Sequence, residues 1–355
     1  MNVATKLLMA SSGVGGLANT DLFANALYTG NGSSQNIANG LNLSSLGGLV
    51  WIKSRSATNG GHILVDSVRG NNKYFQLNTN DAEGTNTELV KTFNSNGFTV
   101  GNDGGLTNAV NGGATYASWS FIKRTDFVSI VEWTGDGASP RSIAHGLGST
   151  PAFFIIKNKS ANNTDFITYH RGLNGGSLPH RYYIEWNDHT SSQNTNAWLN
   201  NTAPDATNIT VSGTSGQFSN ATGNNYIGYF FAHHSNSGTQ IEGKNFISCG
   251  FYTGNGSTTG PTIDCQFDNA PRFIMIRHAE PSSASSAQAV HIFDSARGYD
   301  GSPSGSGDYL LKIETNTAES SSTNFIDETS SGFQLKSIDF AVNQSGKNYV
   351  YVAVA

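Results

Sequence analysis

Apolar positions in this chain come in short runs. Segments of roughly four to eight residues, rich in Val, Ile, Phe, Tyr, Trp and Thr, are separated by clusters of Gly, Asn and Ser along the whole length. Several alternate apolar with polar, as does Tyr349-Val350-Tyr351-Val352 beside Lys347 and Asn348. This is the period-two signature of strands. A pattern for an amphipathic helix of three turns occurs nowhere, so the sequence predicts an all-β fold of two-sheet sandwiches. Asn31-Gly32, Asp136-Gly137 and Asn255-Gly256 stand between extended runs and read as two-residue type I′ hairpin turns. Both central positions of that turn need positive φ, which Asn, Asp and Gly tolerate.

The same landmarks occur three times in one order. Tyr28-Thr29-Gly30-Asn31-Gly32-Ser33 matches Trp133-Thr134-Gly135-Asp136-Gly137-Ala138 and Tyr252-Thr253-Gly254-Asn255-Gly256-Ser257. An apolar run closed by a cation follows in each: Trp51-Ile52-Lys53, Ile155-Ile156-Lys157 and Met275-Ile276-Arg277. Next come Asp66-Ser67-Val68-Arg69-Gly70, Thr168-Tyr169-His170-Arg171-Gly172 and Asp294-Ser295-Ala296-Arg297-Gly298, the middle copy lacking the Asp. Aromatic-led runs begin at Tyr74, Tyr182 and Tyr309, and Gly97-Phe98-Thr99-Val100 is answered by Ile209-Thr210-Val211 and Gly332-Phe333-Gln334-Leu335. Aromatic strands beginning at Tyr116, Tyr226 and Tyr349 close the copies. The spacing predicts three tandem domains, 21–124, 125–244 and 245–355, with His234 to Thr239 as a short linker. Residues 1–20 belong to no copy and are expected to form an attachment arm.

Composition narrows the function classes. Only 13 % of residues are charged and the net charge is −5, which argues against a surface that tracks phosphates, so no nucleic-acid partner is expected. Hydrophobic residues at 37 % and aromatics at 11 % supply enough apolar surface for folded domains. Cys249 and Cys265 are too few for a disulfide framework or a zinc site and read as reduced core thiols. The apolar run Leu7 to Ala10 is too short for a signal-peptide core, and no segment approaches a membrane span.

Candidate chemistry is sparse. Asp66 with Arg69 and Asp294 with Arg297 read as strand-end ion pairs needed for folding, and Lys53, Lys157 and Arg277 as strand-end cations. His233 and His234 are adjacent and so face opposite ways on a strand, His170 and His180 flank a Gly-rich loop, and His145 reads as a turn residue. No metal or other cofactor is expected. Glu185-Trp186-Asn187-Asp188 brings carboxylates beside an aromatic, but nothing fixes a second carboxylate at the roughly 5–9 Å that glycoside cleavage needs. Tyr182, Tyr183, Trp186 and Trp198 are the candidates for stacking on a sugar or a partner.

Taken together, Tyr252-Thr253-Gly254-Asn255-Gly256, Ala270-Pro271-Arg272-Phe273-Ile274-Met275-Ile276-Arg277, Phe293-Asp294-Ser295-Ala296-Arg297 and Gly332-Phe333-Gln334-Leu335 resemble an uncharacterised domain abundant in structural proteins of marine bacteriophages. Ala144-His145-Gly146-Leu147-Gly148-Ser149-Thr150-Pro151 adds to the resemblance, which covers residues 21 to 355. It implies a virion component, tail-fibre-like or head-decorating, with lectin-like jelly-roll sandwiches and no catalytic residues. The expectation is a non-enzymatic virion surface protein, assembled in the host cytoplasm. Its expected partners are other virion proteins through the arm, further copies of itself, and host-surface polysaccharide, with no membrane. The alternatives are a tailspike-like depolymerase and a ligand-free capsid cement protein.

Overall fold

The computed structural model describes residues 22–56, 60–109, 113–188, 193–195, 197–213, 218–234, 245–279, 289–299, 307–321 and 323–355. The arm, residues 1–20, and nearly all of the linker lie outside the described residues. The first copy contains β1 (Phe23–Thr29), β2 (Gln35–Ile37), a single helical turn α1 (Leu43–Leu46), β3 (Gly48–Ser54), β4 (His62–Asp66) and β5 (Lys73–Gln76). It continues with β6 (Gly84–Thr85), β7 (Thr92–Asn94), β8 (Gly97–Val100) and β9 (Thr115–Ile122). The second copy holds β10 (Val128–Thr134), β11 (Arg141–Ala144), β12 (Phe153–Asn158), β13 (Ile167–His170) and β14 (Tyr182–Glu185). Then come β15 (Gln193–Asn194), β16 (Asn208–Val211) and β17 (Asn225–Phe231). The third has β18 (Ile247–Thr253), β19 (Thr262–Asp264), β20 (Phe273–His278), β21 (His291–Asp294) and β22 (Leu311–Lys312). It ends with β23 (Ile326–Glu328), β24 (Gly332–Leu335) and β25 (Asn348–Val354).

The chain is thus nearly all β, and its strand order recurs. The large sheets run β1-β9-β3-β4-β5-β6, β10-β17-β12-β13-β14-β15 and β18-β25-β20-β21-β22. The small sheets run β2-β8-β7, β11-β16 and β19-β24-β23. Registers agree as well: Tyr28 lies opposite Tyr116, Trp133 opposite Tyr226 and Tyr252 opposite Tyr349. The two rings of each pair stack at 5.1, 5.6 and 5.2 Å.

Two sequence expectations need correction here. The Asn-Gly and Asp-Gly steps are not type I′ hairpin turns. Gly32, Gly137 and Gly256 have φ of 66°, 77° and 65°, whereas Asn31, Asp136 and Asn255 are absent from the positive-φ residues. The strands on either side also belong to different sheets, so each step carries the chain from the large sheet to the small one. The Asn or Asp side chain folds back to accept the N–H two residues on, at 2.9 Å for Ser33, 2.9 Å for Ala138 and 3.0 Å for Ser257. That is an Asx turn. The second correction concerns alignment. Leu49 pairs with Asp66, Phe153 with His170 and Phe273 with Asp294, so His170 occupies the place of the Asp.

One apolar cluster runs through all three copies. The Phe121 ring meets those of Phe231 and Phe273 at 5.8 Å each, and the Trp119 ring lies 5.8 Å from Phe273. Where the three sheets meet is a small apolar cavity, lined by two sets of equivalent residues, Leu49, Phe153 and Phe273, and Trp51, Ile155 and Met275. The third copy has a second cluster of its own, around Phe333, Ile276 and Tyr349.

Candidate functional site

The charged side chains that the sequence places at strand ends lie at the seams between copies. Lys53, Lys157 and Arg277 are buried, and each reaches into another copy. Lys53 Nζ donates to the carbonyls of Ser54 at 2.8 Å and Thr317 at 2.9 Å. Lys157 Nζ donates to Asn80 O at 3.3 Å and to Thr164 O. Arg277 donates to Glu185 O at 2.7 Å and Asp188 O at 2.9 Å. First reaches third, second reaches first, and third reaches second, so the three copies close into a ring. Burial lowers both lysines to about 8, since desolvation penalises the ammonium form.

A second set of bonds follows the same cycle. Asp66 Oδ2 takes Arg69 Nε at 2.6 Å and the hydroxyl of Tyr229 from the second copy at 2.8 Å. Asp294 Oδ2 likewise takes Arg297 Nε and the indole N–H of Trp119 from the first copy, the latter at 2.9 Å. Trp119 and Tyr229 occupy equivalent positions, and the third copy has Val352 there, which has no donor. The carboxylate that Val352 would face is replaced by His170. Its Nε2 lies 3.0 Å from the backbone carbonyl of Tyr351, and its Nδ1 accepts Gly172 N–H at 3.0 Å. Loss of the donor on one side and of the Asp on the other are matched changes, because a buried carboxylate without a partner is costly.

The predicted contact aromatics are mostly interior. Trp198 is fully buried 5.8 Å from Phe154, Trp186 packs 5.0 Å from Phe153 and lines the central cavity, and Tyr183 is buried against Phe218 at 5.3 Å. Tyr182 alone is half-buried. A sugar-stacking face made by these four residues is therefore not present: the middle copy's extra rings fill its core.

Among the histidines, His145 is tied to the backbone. His145 bridges Leu147 N–H at 3.1 Å and Asp205 O at 3.1 Å, as a turn residue should. Cys249 and Cys265 are free, buried thiols. Burial pushes Cys265 up to about 12, so it is held as the unreactive thiol. Among the described residues no group of three or more His, Cys, Asp or Glu side chains could hold a metal ion, and no helix is long and apolar enough to cross a membrane.

Sequence reasoning missed the residues that fasten each copy internally. Asn108, Asn220 and Asn343 are buried and hold the Asx turns from within. Asn343 Oδ1 accepts Asn255 N–H at 2.9 Å while its Nδ2 donates to Ser257 O at 2.8 Å and Ser337 O at 2.9 Å. Asn108 repeats this with Asn31 N–H at 2.9 Å and Gly101 O at 2.8 Å, and Asn220 with Asp136 N–H at 3.3 Å and Ala138 O at 2.8 Å. The following residue donates its N–H to the closing tyrosine, Tyr116, Tyr226 or Tyr349, at 2.8, 2.9 and 2.9 Å. The signal was present as Asn220 to Tyr226 and Asn343 to Tyr349 at equal spacing, with Asn108 to Tyr116 two residues longer.

These features define an all-β protein of three like copies closed into a ring, with buried polar bonds at every seam. The chain belongs to the DUF7483 family, a domain of unknown function, whose family model matches residues 18–355 and so runs through all three copies. No curated protein matches the chain.

Proposed function

We propose that this chain is a structural, non-catalytic protein of a bacteriophage virion surface, a tail-fibre or adhesin-like component or a capsid-decorating fibre. In this reading the copies are duplicates of one lectin-like β-sandwich of jelly-roll type, and residues 1–20 attach them to other virion proteins. The observation that carries the proposal is the cycle of bonds from the buried side chains of Lys53, Lys157 and Arg277, each linking one copy to another. Such a ring has to open several desolvated contacts together before any copy can unfold, which suits a component exposed outside the cell. The polar, weakly charged composition and the resemblance of the repeated motifs to phage structural domains support the same reading. Glu185 and Asp188, the carboxylates nearest to a glycosidase-like pattern, lie on a segment whose carbonyls hold Arg277, a structural use.

The test is made on purified particles of the virus that encodes the chain. Mass spectrometry should find the protein in them, and antibodies raised against it should label their surface in electron micrographs. Its absence from washed particles would overturn the proposal. Host polysaccharide incubated with the protein should keep its chain length; shortened chains would favour the depolymerase.

A further inference from the structure

The copies act as controls for one another, and they isolate one place where the middle copy differs in kind. In the first and third, β4 and β21 lead through Val65-Asp66-Ser67 and Phe293-Asp294-Ser295, and the nearby arginine is buried on the carboxylate. The two serines are used in bonding: Ser67 Oγ accepts Gly48 N–H at 2.9 Å, and Ser295 Oγ accepts Asn25 Nδ2 at 3.2 Å. The register puts Tyr169, His170 and Arg171 in these positions of the middle copy. With His170 turned to Tyr351 O, no carboxylate remains at this strand end.

Arg171 is exposed and has no acidic partner among the described residues. It borders a hollow lined also by Ser149, Thr150, Tyr169 and His233. Tyr169 is only 5 % exposed, with its ring stacked 4.8 Å from Phe154, and its hydroxyl makes no hydrogen bond within the described residues. Ser149 Oγ is buried and is likewise without a partner. Val65 and Phe293 show that this strand position packs well without a hydroxyl, so the oxygen of Tyr169 is extra to the fold. Burial first, then the Arg171 and His234 charges, lowers His233 to about 4, so Arg171 supplies the positive charge of the hollow at neutral pH.

We propose that this hollow is a binding site for an oxyanion, the carboxylate, sulfate or phosphate group of a small ligand, held by the Arg171 guanidinium with the Tyr169 and Ser149 hydroxyls as donors. A planar guanidinium fork matches all three groups. An anion there also supplies the acceptor that the buried Ser149 hydroxyl lacks. The site does not depend on the virion reading, since its argument rests on the comparison of copies alone.

Calorimetric titration of the full chain at low salt tests this, with glucuronate, inorganic sulfate and inorganic phosphate as probes and glucose as the uncharged comparison. Saturable binding of at least one oxyanion, with none of glucose, is expected. Which anion binds best identifies the source, a uronic acid or a free inorganic ion. Arg171→Gln should weaken that binding by about tenfold or more while leaving the unfolding midpoint unchanged. Lys123→Gln, which removes another exposed cation, should leave binding as it was. No saturable binding of any of the three anions, undiminished binding by Arg171→Gln, or an equal loss in Lys123→Gln would overturn the assignment.

Discussion

At the scale of single residues, the strongest constraints come from amides and glycines in the turns. Asn108, Asn220 and Asn343 each saturate donor and acceptor inside the protein, so truncation leaves several buried backbone groups unpaired at once. Asn343→Ala is expected to destabilise the protein by about 2–3 kcal/mol, read from the urea midpoint at unchanged slope. A loss below about 0.5 kcal/mol would mean that water replaces the amide without cost. The first glycine of each motif answers to the same contact. A Cβ on Gly30, Gly135 or Gly254 would lie 2.3, 2.0 and 2.3 Å from the carbonyl oxygens of Ala109, Ala221 and Gln344, the residues that follow the clasping asparagines. The second glycine serves φ, the first serves close approach.

At the scale of elements, the sequence was most legible where several apolar residues act together. The opening strand, the cation-ended strand and the closing aromatic strand all fall in equivalent registers, because each exposes its period over five or more residues. Elements set by one side chain were harder to read. The clasping asparagines sit in loops already rich in Asn, Ser and Gly, where one more amide carries no contrast. Alignment on the Arg-Gly pair concealed that His170 had taken the place of Asp66 and Asp294, since the copies differ in length after that strand. Lys53, Lys157 and Arg277 look like solvent-facing strand ends until the next copy is laid against them. The same holds for Trp186 and Trp198: a ring that another sheet covers and a ring that binds a ligand have the same local pattern.

At the scale of the whole molecule, burial of histidines makes stability depend on pH. His62, His145, His170, His180, His233, His234 and His291 are all lowered from 6.5, with desolvation the largest cause in each. His170 falls to about 3 and His233 and His291 to about 4. Below pH 6.5 the unfolded chain therefore binds protons that the folded chain refuses, and stability is lost as the pH falls toward 4. Glu314 opposes this, because burial raises it to about 7 and its folded form gains protons between there and 4.5, but it is one group against seven. The melting temperature should fall from pH 7 to pH 5, with net proton uptake on unfolding measured by dye titration. A flat or rising melting temperature would contradict the buried-histidine account.

Ring closure makes a different kind of claim, that the three copies share one folding transition. Each seam carries buried polar bonds, and the apolar cluster crosses all of them, so a copy cannot open without exposing its neighbours' cores. Differential scanning calorimetry of the intact chain is the most direct measurement. A single reversible transition with equal van't Hoff and calorimetric enthalpies is predicted, whereas separate transitions, or a van't Hoff enthalpy about one third of the calorimetric value, would show three independently folding domains.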